Sequence, residues 1–240
     1  MTGEGWTQAV RRQLGLGRVL PLGGAGDGTW VTESAAEGAL RQMAEQVAGV
    51  RLGTVRIALA DPEKVYAAVV PAPPSALPPG PLRITADFAA AVGEPLPAAA
   101  ERLRAALSGA ADRLGLLAEE VDLRVTALLD ESAAPEDVRP EGEPSKRPAD
   151  EGGGSEGDEG RVERAALAVP GVARLTGVLG RAVVIEERPA TDTLPRRHAR
   201  VELATDRGHR ALDVALAVRA AAGAALPDHP SVAVLVTEVG

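Results

Sequence analysis

One stretch of this chain cannot enter a hydrophobic core. Residues 131–160, ESAAPEDVRPEGEPSKRPADEGGGSEGDEG, hold ten acidic and three basic residues and one large apolar side chain, Val138. So polar a segment buries too little surface to offset the entropy of ordering it. It reads as an acidic disordered linker, and it divides the chain in two. It also carries most of the formal net charge of −8, so the flanking parts are close to neutral. Near-neutral domains with 2 % aromatic residues offer nucleic acid little charge and little stacking surface, and such a partner is not expected.

The two flanking parts are long enough to bury real cores. With so few aromatics, those cores must be built from Val, Leu, Ile and Ala. The absence of cysteine excludes disulfides, thiolate metal sites and a cysteine nucleophile. The first residues, MTGEGWTQAVRRQLGLGRVL, lack the basic start and apolar run of a signal peptide. No window is long and apolar enough to be expected to cross a membrane. The expected location is cytoplasmic, with peripheral membrane contact only through a partner or the N-terminal arm.

Residues 1–28 form that arm, in which Trp6, Val10 and Leu14 share one stripe of a short helix. GGAGDG (23–28) has the glycine content of a phosphate loop without its lysine, and reads as a turn. A weak strand at Trp30–Val31 precedes a helix starting near Thr32 or Ser34. Ser34 and Glu37 have capping-box spacing, and Ala36, Leu40, Met43 and Val47 recur at helical intervals. Gly49 ends the helix. VRLGTVRIAL (50–59) is rich in β-branched residues and alternates as a strand. A loop follows, with six prolines between Pro71 and Pro81. LRITADFA (82–89) is the next strand, a helix lies within 96–115, and VDLRVTALL (121–129) is a closing strand.

The order recurs beyond the linker. Val162, Ala166 and Val169 mark a short helix ended by Pro170-Gly171. AVVIEE (182–187) and ARVELAT (199–205) are strands around a polar loop. Residues 209–226 form a helix, and SVAVLVTEV (231–239) is the last strand. Val47-Ala48-Gly49-Val50 matches Val169-Pro170-Gly171-Val172, and Val125-Thr126 matches Val236-Thr237. The expectation is therefore a duplicated α+β unit. Each copy is a two-layer sandwich, a small mixed sheet of three or four strands covered on one face by two helices. The expected boundaries are a 1–28 arm, a first repeat at 29–130, a linker at 131–160 and a second repeat at 161–240. In the first copy Arg56, Arg83, Thr85, Asp87, Asp122 and Arg124 fall on the uncovered sheet face.

The run from WVTESAAEGALRQMAEQVAGV to EVDLRVTALL resembles the alkaline-shock, or general-stress, envelope protein family of Gram-positive bacteria. The likeness covers residues 29–130 and, more weakly, 160–240. It implies a small non-enzymatic cytoplasmic protein linked to cell-envelope stress. Such proteins tend to self-associate, and some reach the membrane through a separate anchor. The doubled unit, the acidic linker and the proline loop depart from that pattern. The family carries no catalytic residue onto this chain.

Site chemistry is sparse. His198, His209 and His229 have no i, i+4 pairing and read as surface histidines, not as a metal site. Asp87 and Asp122 can approach on the sheet, but acid–base work would need a closed cleft. No Gly-x-Ser-x-Gly elbow occurs. GVLG (177–180) has the spacing of an RNA-clamping loop but contains no lysine. No catalytic residue, metal or cofactor is expected. The leading expectation is an interaction protein or scaffold acting through an exposed strand edge or sheet face, with a ligand- or RNA-binding polar sheet face as the alternative.

Overall fold

A computed structural model describes residues 17–129, 157–188 and 196–240. The expected helix at Trp6, Val10 and Leu14, the body of the acidic linker and the centre of the polar loop after residue 188 lie outside them.

The described residues form an α+β fold with two mixed sheets and four helices. In chain order these are β1 (Val19–Pro21), β2 (Thr29–Thr32), α1 (Glu33–Ala44), β3 (Val50–Leu59), β4 (Leu82–Ala91), α2 (Leu96–Leu114) and β5 (Ala118–Leu129). Then come α3 (Asp158–Leu167), β6 (Val172–Leu175), β7 (Val183–Arg188), β8 (Arg196–Thr205), α4 (Ala211–Ala224) and β9 (Ser231–Val239). The smaller sheet has the order β3-β4-β5, with β3 antiparallel and β5 parallel to β4. The larger runs β1-β2-β9-β8-β6, and β7 also pairs with β8. In it β6 and β7 are antiparallel to β8, and β9 is parallel to it. A parallel neighbour needs a crossover, and α2 and α4 supply those from β4 to β5 and from β8 to β9.

Local chemistry explains most element ends. Thr32, not Ser34, caps α1: its backbone is still extended, and its hydroxyl accepts from Ala35 N at 3.3 Å. Ser34 is already inside the helix, so the Ser34/Glu37 capping box does not form. Glu37 instead pairs with Arg41 one turn on. Helix α3 starts at Asp158, inside the stretch read as linker. Asp158 and Glu159 occupy its first turn, where negative charge suits the helix dipole.

The two chain halves share several local details. Val47 N bonds to Ala44 O, and Val169 N to Ala166 O. Gly49 and Gly171 both have positive φ, 73° and 90°. Their carbonyls accept from Ala91 N at 2.8 Å and Asp206 N at 2.9 Å. The closing strands β5 and β9 each bulge at a threonine, Thr126 and Thr237, which the ladders skip. Each hydroxyl then bonds the carbonyl opposite, Phe88 O and Leu203 O, both at 3.3 Å.

The halves are not two self-contained sandwiches. Strand β2 lies in the larger sheet, parallel to β9, with Trp30 opposite Leu235 and Val31 opposite Val236. Helix α1 touches both β9 and β3. One apolar core runs through both halves, joining Leu40, Ile57, Leu82 and Leu103 to Val162, Leu203, Val214 and Val234. A smaller cluster occupies the opposite face of the larger sheet. Val19, Trp30, Ala233 and Leu235 are covered there by Val70, Ala68 and Ala76 of the proline-rich loop. Leu77 N bonds to Val19 O at 2.8 Å and pins the loop. Burying Trp30 contributes on the order of 2–3 kcal/mol.

Gly115, which ends α2, packs closely against Leu212 of α4. Its φ is 95°, and a Cβ there would lie 2.3 Å from Leu212 Cβ. At Gly49 the nearest atom to such a Cβ is 3.5 Å away. Both Gly49→Ala and Gly115→Ala are expected to lose about 1 kcal/mol to left-handed backbone strain. Gly115→Ala should lose a further ~1–3 kcal/mol by wedging α2 from α4. Urea unfolding midpoints of the two variants measure the difference.

Candidate functional site

The three histidines do not converge. His209 is half-exposed and bonds Asp206 at 2.7 Å. His229 sits in a turn at φ 45°, with Nδ1 bonded to Gly223 O. His198 corrects the expectation of a surface residue: it is 6 % exposed, on the face of β8 that meets the proline-rich loop. Alternation along β8 puts it there, opposite Ser231 of β9. Its Nδ1 and Ser231 Oγ share a hydrogen bond of 2.9 Å. Burial, with the charge of Arg188, holds the imidazole below its ordinary pKa, so the ring favours the neutral form. This is a nucleophile and a base within reach of each other, but no carboxylate among the described residues bonds the ring to orient it. No group of three or more His, Asp or Glu among the described residues can hold a metal ion.

His198 lines a cavity of about 200 Å³ between Pro71–Pro74 and the strands, together with Glu186, Arg188 and Arg200. Each cation there has a counter-ion. Glu186 lies 3.9 Å from Arg188, and Glu202 lies 3.3 Å from Arg200. Glu202 is fully buried, and the turn that resembles an RNA clamp explains how. Leu179 N donates to its Oε2 at 3.0 Å, and the Val178 amide faces it as well. GVLG thus directs its amides at an internal carboxylate. Arg200 Nε and Glu202 Oε1 are close but misaligned, and neither is hydrogen-bonded among the described residues.

The first-half polar face is exposed, and its charges other than Arg56 are already paired. Arg124 bonds both oxygens of Asp87, at 2.8 and 3.0 Å, and holds that carboxyl below the usual range. Arg83 pairs with Glu120 and lies 3.5 Å from Asp122. Asp87 and Asp122 are each tied to an arginine rather than to each other, the opposite of what a general acid needs.

The edge of β5 is the remaining feature. β5 is twelve residues long and pairs only with β4 among the described residues. None of its residues is buried, and Val125 and Leu128 are 38 % and 59 % exposed. In β9, which closes the other sheet in the same topological position, Val232–Thr237 are all buried. The difference has two parts: β2 covers the β9 edge, and the proline-rich loop covers Ala233 and Leu235 on one face. Alternation along the sequence could reveal the faces of β5 but not that its edge lacks a strand among the described residues.

No protein family, curated protein or solved structure matches the chain.

Glu202 gives a pH signature. Burial pushes its carboxyl above the ordinary 4.5, against the amides and Arg200. Between 4.5 and that raised value the folded state keeps a proton the unfolded chain has lost. Stability therefore falls as pH rises through this window. Glu202→Gln keeps an acceptor for Leu179 N and removes this fall. Its stability relative to the parent chain is expected to rise with pH from 4.5 upward, as read by urea unfolding between pH 4.5 and 8.

Proposed function

We propose that this chain is a non-enzymatic interaction protein built from two copies of one α+β unit, and that it acts by strand addition at the open edge of β5. The observation that carries this reading is the contrast between β9, closed by β2, and β5, equivalent in topology and without a covering strand among the described residues. An exposed strand edge is a ready template for pairing with another chain. The duplication is supported by the paired glycine turns and the paired threonine bulges. In this reading the first copy lends its leading strand to the sheet of the second. At the offset of the helices, Glu151-Gly152-Gly153-Gly154 stands where Thr29-Trp30-Val31-Thr32 stands in the first copy, with no apolar side chain to bury.

A cytoplasmic role in envelope stress, with the family resemblance it comes from, is part of the same proposal. It rests on the pattern of apolar residues. No helix among the described residues is long and apolar enough to cross a membrane. The alternative, a ligand- or RNA-binding polar face, is favoured only by Arg51 and Arg56, which are exposed and form no ion pair among the described residues. Salt-dependent binding of random-sequence RNA would support it.

Light scattering behind size-exclusion chromatography over a concentration series tests the main reading. Mass should rise with concentration toward a dimer. Val125→Lys and Leu128→Lys, both at exposed positions, should return the chain to a monomer without lowering its unfolding free energy by more than about 0.5 kcal/mol. A parent chain that stays monomeric throughout would overturn self-association.

A further inference from the structure

We infer that two copies of this chain pair β5 against β5 antiparallel, about a two-fold axis through Leu123. The inference rests on the strand-edge reading above and specifies its partner and register.

Backbone direction narrows the choice. Leu117 O accepts from Leu82 N and Leu129 O from Val92 N, so both carbonyls face β4. Between them the ladder skips two residues, Glu119 and Thr126. A skipped residue shifts the alternation by one, so the backbone groups of Glu120, Asp122 and Arg124 face β4. Those of Val121, Leu123 and Val125 then face outward. Arg104 of α2 agrees: its Nε reaches over the edge to Val121 O at 3.3 Å.

Side chains narrow it further. Val121, Leu123 and Val125 pair with Ile84, Ala86 and Phe88, whose side chains are buried in the core, so they share the helix side of the sheet. Glu120, Asp122 and Arg124 share the other side. Directly opposed residues in an antiparallel pair point to the same face. A register centred between two residues would set Asp122 against Leu123 or Val125, mixing the faces. Centring on Val121 sets Asp122 against Glu120, two like charges. Centring on Val125 brings the Thr126 bulge into the middle of the ladder. Centring on Leu123 sets Val121 against Val125 of the second copy, twice, and Leu123 against itself. It also sets Asp122 against Arg124 of the second copy, twice. Arg124 already holds Asp87, and Asp122 lies beside Arg83. Charges of alternating sign then cross the joint without a like pair. The Arg104 bond to Val121 O must open first, so Arg104 acts as a guard on the edge.

The chain has no cysteine, so single cysteines report contacts cleanly. Oxidised Leu123→Cys should form a covalent dimer on a non-reducing gel. Val121→Cys and Val125→Cys should each stay single alone and cross-link when mixed. Arg104→Ala should tighten the dimer several-fold in light scattering. Circular dichroism checks that each variant is folded. Cross-linking of Val121→Cys or Val125→Cys alone, with none at Leu123→Cys, overturns the register but leaves the β5 edge as the interface. A dimer that survives Val125→Lys and cross-links at none of these positions places the contact elsewhere and overturns both. A chain that is monomeric at every concentration also overturns both.

Discussion

The parallel pairing of β2 with β9 holds this molecule together. Three residues of β2 pair with β9, Thr29, Trp30 and Val31, yet they set the position of everything that follows. Trp30 and Val31 point to opposite faces of the larger sheet. Val31 joins the main core, and Trp30 anchors the smaller cluster under the proline-rich loop. Because α1 begins at the residue after β2, the helix is delivered to the junction, where it reaches β9 on one side and β3 on the other. Thr32 links the two roles. It caps α1 and also donates its hydroxyl to Thr237 O at 3.2 Å. The junction is reinforced by Arg210, which bonds Asp112 O, and by Gly23 N, which bonds Gly115 O.

The same pairing gives the proline-rich loop its task. A sheet face carrying Trp30 and Leu235 cannot be left to solvent without a large exposed apolar patch. Prolines suit a cover that must lie extended and needs few amide bonds of its own. The loop leaves the smaller sheet, crosses to the larger one and returns, so it too ties the halves. Its apolar members Ala68, Val70 and Ala76 do the covering, while Pro71–Pro74 roof the cavity beside His198. On that face the polar residues of β8 are drawn inward, which is why Glu202 is buried among amides.

The local level of this architecture is legible in the sequence. Strands β3 and β9 begin and end where alternation places them, and α2 and α4 lie within the expected spans. Val-Thr at 125–126 and 236–237 stands out as a repeated dipeptide, and its physical basis is the shared bulge with its hydroxyl bond. Strands β1 and β6 are too short, at three and four residues, for periodicity to reveal them. The destination of β2 is not legible at all. Alternation identifies a strand and its faces but carries no information about which of two similar sheets accepts it. His198 escaped for a related reason. Its neighbours Arg196 and Arg197 suggest a wet strand start, and only the loop arriving from 120 residues upstream dries it. The candidate interface follows the same rule: the residues of β5 are readable, and its lack of a second neighbour among the described residues is a fact of topology.

A twelve-residue edge left open by the described residues is a hazard as well as an opportunity, and β5 carries features that address both. Uniformly apolar edges invite indiscriminate pairing, which natural proteins suppress with charge and with covering side chains. Here Glu119, Glu120, Asp122 and Arg124 interrupt the strand, and Arg104 lies across its carbonyls. These groups do not block all partners equally. A strand offering acidic residues opposite Glu120 and Asp122 is repelled, and one of uniform polarity wastes Val121 and Val125. A strand that reverses the order of charges while keeping the apolar positions meets neither objection, and β5 turned about Leu123, the partner proposed above, has that property. Charge on the edge therefore acts as a filter rather than a barrier. In the proposed dimer, the same acidic and basic residues that guard the edge select the strand added to it.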